Sequence, residues 1–383
     1  MRSGVALGAL ATVCLLAAPS KEERVAKIES GLTPRVRIEG QSVTRWPIAE
    51  RMKFHNVPAV GVAVVEDGKL SWAKTYGAGW SVRTRFQAAS ISKPVAAVAA
   101  LRLVARGDLS LDEDVNKKLK SWKVPENQWG KPITLRQLLS HTAGLTVHGF
   151  PGYAKTAEIP TGVQIVKGGP PANTAAVVVN VEPGTIFRYS GGGYQVLQVL
   201  IEDVTGKPFA RAVKELVLDP ADMKDSGYDQ PPIASAARGH NSKGEPIAGD
   251  WHIHPEQAAA GLWTTPTDVA RFLIAVHTSK LLPPAVTKEM LTPVKDGYAL
   301  GFGIEGEGQA ESFGHNGSNV GYRCFAVLYK NGKHGLVVMT NGDSGAGVAG
   351  EIVRAVAEEY GWSSHRAVML KAADVSDGQV GRR

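Results

Sequence analysis

Apolar runs and alternating stretches divide the chain into two strand-rich ends and a helical middle. Ala59-Val-Gly-Val-Ala-Val-Val65 is a continuous apolar run, and Glu66-Asp67-Gly68 is a turn. Leu70 to Tyr76 completes the pattern of a β-hairpin. Residues 21–57 before it are charged and mixed, and predict one helix around Ile48 to Phe54. From Val95 to Val104 only Arg102 interrupts Ala, Val and Leu. This predicts a helix over 90–106, buried on most sides and ended by Gly107.

From 108 to 254 the pattern is helical, with long Gly/Pro-rich connections. It begins with a turn and short helix at Asp108–Val115. Helices are then predicted at Thr134–Leu139, with Thr134 as cap, at Gly193–Val204, ended by Gly206, and at Lys207–Val217. The stretch 149–184 is too long for an ordinary connector and is expected to border a binding site. A further helix is expected at Thr265–Val276, with Pro266 in its first turn. Strand patterns return at Tyr298–Glu305, Gly321–Tyr329 and Gly335–Thr340, before a last helix at Gly347–Tyr360. The simplest closure is an α/β (α+β) fold. The N- and C-terminal parts, 21–107 with 255–383, build one antiparallel sheet flanked by helices, and 108–254 is an inserted, mostly helical lobe. A site is expected at the seam between them.

The helix predicted from Ser90 lies on that seam, and it opens on Ser90-Ile-Ser-Lys93-Pro94. Residues three apart share a helix face, so Ser90 and Lys93 can form a nucleophile and a nearby proton acceptor. Pro94 agrees, because proline is tolerated only in the first helical turn. Ser71-Trp-Ala-Lys74 repeats the Ser-x-x-Lys spacing within the second strand of the hairpin. Strand residues three apart point to opposite faces, which removes that copy as a pair.

Composition adds context. The chain has 383 residues, 43% hydrophobic and 21% charged, enough for a sizeable core. Its formal charge is +7, but the basic residues are scattered. Nothing in that distribution points to nucleic acid; it supports at most a mild attraction to anionic substrates or surfaces. Residues 1–20 have the form of a secretory signal: Arg2, the apolar run Val5–Leu16, then Ala17-Ala18-Pro19-Ser20. The run is too short to span a bilayer. A periplasmic or secreted protein without a membrane anchor is the expectation. Cys14 leaves with that segment, so Cys324 stands alone and is expected to be a small buried hydrophobe.

Two further stretches can serve Ser90. Phe187-Arg-Tyr189-Ser190-Gly191-Gly-Gly-Tyr places a phenol before a helix, as a proton relay between Ser90 and Lys93. Gly314-His315-Asn316-Gly317-Ser318 opens a strand whose Ser318 N–H, with that of Ser90, would hold a developing oxyanion. Leu138-Leu-Ser-His-Thr-Ala-Gly-Leu145 reads as architectural. Other fragments carry no site: Gly342-Asp-Ser-Gly345 reads as a turn between the last strand and helix. Asp250, His252 and His254 lack the remaining ligands of a metal site, and the glycines 191–193 are not followed by the Lys-Ser/Thr of a phosphate loop.

Taken together and in order over roughly residues 41–360, these stretches resemble the serine β-lactamase and penicillin-binding protein superfamily. The likeness is strongest to its class C-like branch of DD-peptidases, D-aminopeptidases and small-ester carboxylesterases. Leu138–Leu145 and Ala260-Gly-Leu-Trp-Thr-Thr-Pro-Thr-Asp-Val-Ala-Arg-Phe272 are typical of that branch. The resemblance implies a β-lactamase/transpeptidase-like fold and cofactor-free acyl-enzyme chemistry on a small ester, β-lactam or D-amino-acid peptide. By it Ser90 is the nucleophile, Lys93 the group that deprotonates it, Tyr189 a second general acid/base, and His315 the first position of the third motif. Asn316, Gly317, Ser318 and Gly191 fall at substrate-binding or oxyanion positions. The chain departs from the pattern twice. Gly191 replaces the Asn that binds a substrate amide, and His-Asn-Gly replaces Lys-Thr-Gly, leaving a weaker, pH-dependent charge for a substrate carboxylate. Both changes lean away from an efficient β-lactamase, and a carboxylesterase is favoured over a D-amino-acid peptidase or a class C-like β-lactamase.

Overall fold

A computed structural model describes residues 19–230 and 235–371. The segment read as a secretory signal, up to residue 18, lies outside them. Among the described residues ten strands are present: β1 (Val36–Ile38), β2 (Val60–Glu66), β3 (Lys69–Tyr76), β4 (Phe86–Gln87), β5 (Trp263–Thr264), β6 (Gly303–Glu305), β7 (Ser312–Asn319), β8 (Tyr322–Tyr329), β9 (His334–Thr340) and β10 (Val368–Leu370). The main sheet has the order β3-β2-β9-β8-β7-β6 and is antiparallel throughout. The hairpin β2–β3 turns at Asp67 and Gly68, both at positive φ, the geometry that matches the twist of paired strands. Two small ladders, β1–β10 and β4–β5, lie apart from the sheet.

Among the described residues eleven α-helices pack around these strands: α1 (Lys21–Ser30), α2 (Ile48–Phe54), α3 (Ser92–Ala105), α4 (Leu135–Leu139), α5 (Gly162–Lys167), α6 (Gly191–Thr205), α7 (Phe209–Val213), α8 (Gln257–Ala260), α9 (Pro266–His277), α10 (Pro284–Met290) and α11 (Gly345–Glu359). The sheet is covered on both faces, so β2 reads as an unbroken apolar run although its ladder is antiparallel. Ala63 and Val65 of β2 join the core formed with α3, α6, α8 and α9. Val60, Val62 and Val64 point the other way, into a second core with α1, α2 and α11.

Several elements differ from the sequence reading. The first turn at Ser90 is a 3₁₀ turn, Ala89–Ile91, and α3 proper begins at Ser92. The strand expected from Tyr298 is confined to β6. Ala299, Leu300 and Phe302 are drawn into the core, and the chain folds back on itself with Ala299 N–H donating to Phe302 O. The helix expected over 207–217 is α7 continued by a π-helical turn, Lys214–Leu218. Asp108–Val115 is a turn leading to a 3₁₀ segment, Val115–Lys117, capped by Asp114. Helix α1, with a Ser20–Glu23 capping box, carries no clear apolar stripe in the sequence: Val25, Ala26 and Ile28 are its apolar residues, and of these Ile28 alone is buried.

Candidate active site

Ser90 stands on a strained turn. Ala89, just before it, has φ +50°, a left-handed conformation unusual for a residue with a Cβ. The strain is held by neighbours. Ala88 N–H donates to Leu262 O at 2.8 Å. The Ser92 hydroxyl donates to Ala89 O at 2.6 Å and accepts from Leu262 N–H at 3.0 Å. Ser92 is fully buried, and no motif pointed to it. Its signal was only a second serine within the same helical entrance.

Lys93, 2% exposed, lies in the first turn of α3 with Nζ 3.0 Å from Ser90 Oγ. One of its N–H groups donates to Ala259 O of α8 at 2.9 Å. The rings of Tyr189 and Tyr194 lie 5.0 and 5.7 Å from Nζ. These contacts are a hydroxyl, a carbonyl and two phenol rings, with no carboxylate among them. The spacing that removed Ser71 and Lys74 is confirmed: Ser71 donates to Glu66, and Lys74 pairs with Glu29.

Tyr189 precedes Ser190, which caps α6: the Ser190 hydroxyl accepts from Gly193 N–H at 3.0 Å and donates to Thr146 O at 2.7 Å. His141, in the stretch read as architectural, organises this segment. Its Nδ1 accepts the Ser190 N–H at 3.1 Å, its carbonyl accepts the Arg188 N–H at 2.8 Å, and its ring lies 4.3 Å from that of Tyr189. Burial, then the charge of Lys93, holds the His141 pKa well below the usual imidazole value. The ring is therefore neutral and keeps Nδ1 as an acceptor. Its place beneath the tyrosine was invisible in sequence, where the two stand nearly fifty residues apart.

His315 lies within β7, which starts at Ser312 and so runs further back than the sequence suggested. Its Nδ1–H donates to the Asn316 carbonyl at 2.6 Å, and Nε2 accepts from the Tyr298 hydroxyl at 3.1 Å. Burial, then the Lys93 charge, pushes its pKa down to about 3. The pH-dependent cation expected for a substrate carboxylate is therefore not available at neutral pH. Burial likewise keeps the Tyr298 phenol protonated, a donor to His315.

Ser90, Tyr189, Tyr298, His315, Asn316, Gly317 and Ser318 line one cavity of about 1050 Å³. Gly317 has a steric reason to be glycine: a Cβ there would collide with Ala88 O and stand 3.2 Å from the Cβ of Cys324. Its bare backbone lets β7 lie against the Ser90 turn. Cys324 is buried opposite it, with Sγ–H donating to Gln87 O at 3.3 Å. Gly191 is not among the residues that line this cavity. It is buried at the start of α6, its N–H donates to His148 O at 3.0 Å, and a Cβ would come within 3.0 Å of Phe150 Cε2.

Behind Lys93, the segment leading into α8 buries Glu256 completely, and neither carboxyl oxygen has a hydrogen-bond partner among the described residues. Burial pushes this carboxyl up to about 8. It folds protonated, so its stabilising effect is full below the unfolded carboxyl pKa and is lost as pH rises through 8. Thermal melts from pH 6 to 9.5 check this. Wild type is expected to lose Tm across the range, and Glu256→Gln to lose less; parallel curves would contradict it.

A sequence model of the family described as Beta-lactamase matches residues 48–360. Esterase EstB of Burkholderia gladioli is 29% identical over 297 residues, covering 68% of this chain and 74% of that protein. Protein flp of Staphylococcus aureus strain N315 is 24% identical over 316 residues, covering 75% of this chain and 60% of that protein. Among solved structures, the octameric penicillin-binding protein homologue from Pyrococcus abyssi superposes with a TM-score of 0.70, at 24% identity, over 84% of this chain and 77% of that one. The D-amino acid amidase from Ochrobactrum anthropi SV3 gives 0.67, at 21% identity, over 81% and 96%.

Proposed function

The chain belongs to the Beta-lactamase family and is a serine hydrolase of that kind; from this premise we propose that it forms an acyl-enzyme on Ser90 and cleaves a small ester. The observation that carries the reading is the buried Lys93 amine, 3.0 Å from Ser90 Oγ and held by neutral groups. In its unprotonated form the Lys93 amine, still donating one N–H to Ala259 O, offers a lone pair to the Ser90 proton. The serinate attacks the ester carbonyl, and the tetrahedral oxyanion is met by the N–H groups of Ser90 and Ser318. Tyr189 passes the proton to the leaving alkoxide, the ester bond breaks, and the acyl group stays on Ser90 Oγ. Water, deprotonated through Tyr189 and Lys93, then releases the acid and restores the serine.

One feature of the site supports ester rather than amide: His315, neutral at working pH, supplies no charge for a carboxylate beside the scissile bond. Similarity to an esterase at 29% identity points the same way. Export to the periplasm or medium belongs to the same proposal and rests on the signal-like residues 1–20. Among the described residues no helix is long and apolar enough to cross a membrane.

One substrate panel tests the reading: short-chain nitrophenyl esters, D-alanyl-D-alanine peptides, D-amino acid amides and nitrocefin. The esters are expected to turn over with kcat/KM at least about tenfold above the amides and nitrocefin. Faster cleavage of the D-peptides or amides would replace the esterase reading with a peptidase one. Acylation by nitrocefin without turnover would make the protein a penicillin-binding receptor.

A further inference from the structure

The cavity at Ser90 continues beyond the catalytic groups, past the free edge of β7, to the α11 face of the sheet. There Arg35, Arg323, Arg354 and Arg366 line it. Strand β6 pairs with β7 only from Ser312 to Gly314, so from His315 onward β7 has a partner strand on one side alone. Alternation along β8 puts Cys324 and Ala326 in the core on the Ser90 side, and Arg323, Phe325 and Val327 on the α11 side. Residues of both sets line the same space. Helix α11 borders it with Ala346, Ala349 and Gly350, side chains too small to close the passage.

The charge in this end is one-sided. Among the described residues Glu305 is the one carboxylate in its lining. Arg323 is matched by Asp343 at 3.1 Å. Arg354 and Arg366 spend N–H groups on the backbone carbonyls of Thr33 and Trp362. The carboxylates nearest Arg354, Glu351 and Glu358, are engaged by Arg51 and Arg37. Arg35 is exposed at the rim.

We propose that this arginine-lined end receives an anionic group, a carboxylate or a phosphate, on an extended substrate whose scissile carbonyl lies at Ser90. The inference rests on the serine-hydrolase reading and names the substrate class for it. Guanidinium groups pair with such oxyanions bidentately. Layers packed on a sheet stand on the order of 10 Å apart, so a long linker must join anion and carbonyl. The anion is thus read on the far side of β7 rather than at the neutral His315.

Matched nitrophenyl esters test this. One pair is the half-ester of sebacic acid and its methyl-capped neutral twin; the shorter adipate pair is the length control. For wild type at low salt, kcat/KM for the charged sebacate ester is expected to exceed that of its twin about fivefold, and the advantage shrinks as salt screens the charges. The adipate pair is expected to show no advantage. Arg35→Glu and Arg354→Gln are each expected to lower the sebacate ratio, and a phosphate monoester on the same linker ranks the two anions. A wild-type sebacate ratio at unity, or a ratio unmoved in both variants, overturns the inference while leaving ester hydrolysis in place. No turnover of any of these esters overturns it together with the reading it rests on.

Discussion

Lys93→Met is expected to lower kcat/KM for a short-chain nitrophenyl ester by roughly 10²–10⁴-fold, the range of a lost general base, with Ser90→Ala lower still. Methionine keeps most of the unbranched stem that packs beneath Ala259 and the two tyrosine rings, so the fold is expected to survive. What disappears is the nitrogen 3.0 Å from Ser90 Oγ. The two substitutions act on one step, so the double variant is expected to be no worse than Ser90→Ala alone. Steady-state kinetics with a melting curve for each variant checks both points. Activity of Lys93→Met within about threefold of wild type would remove Lys93 from the mechanism.

Gly317→Ala is the second large effect. The new methyl would collide with Ala88 O, the backbone two residues before Ser90, with the Cβ of Cys324 at 3.2 Å on the other side. Close packing leaves no direction in which it is absorbed cheaply. Either β7 moves away, carrying Ser318 and His315, or the strained Ala89 turn moves, carrying Ser90. A displacement of about 1 Å costs on the order of 10²-fold in rate, and that is the expected loss in kcat. Stability is expected to fall as well, by about 1–3 kcal/mol for overpacking. Kinetics and denaturant unfolding on the same preparation separate the two effects. Wild-type kcat in Gly317→Ala would mean that the approach of β7 to the turn does not set the reaction geometry.

Much of this architecture was legible in the sequence because its signals are local. The hairpin β2–β3, the helix after Ser90, the capped α4 and the proline-started α9 each carry their pattern within a dozen residues. The Ser90–Lys93 pair was legible for the same reason, since helix geometry alone decides which residues meet. What could not be read depends on long-range packing. His141 reaches Tyr189 only because the turn after α4 folds against the entrance of α6. The low pKa of His315 arises from burial beside Lys93, which no spacing in the sequence encodes. Gly191 stands in its motif by sequence, but the steric need for a glycine there comes from Phe150 and His148, packed against it from another loop.

The central claim, that Ser90 is the nucleophile, is tested most directly by covalent trapping. The protein is incubated with a fluorophosphonate, which phosphonylates an activated serine irreversibly, and its intact mass, peptide map and ester hydrolysis are followed together. A single adduct is expected on the peptide carrying Ser90, with loss of hydrolysis in step with labelling and no adduct in Ser90→Ala. Labelling elsewhere, or hydrolysis that persists in fully labelled protein, would contradict it.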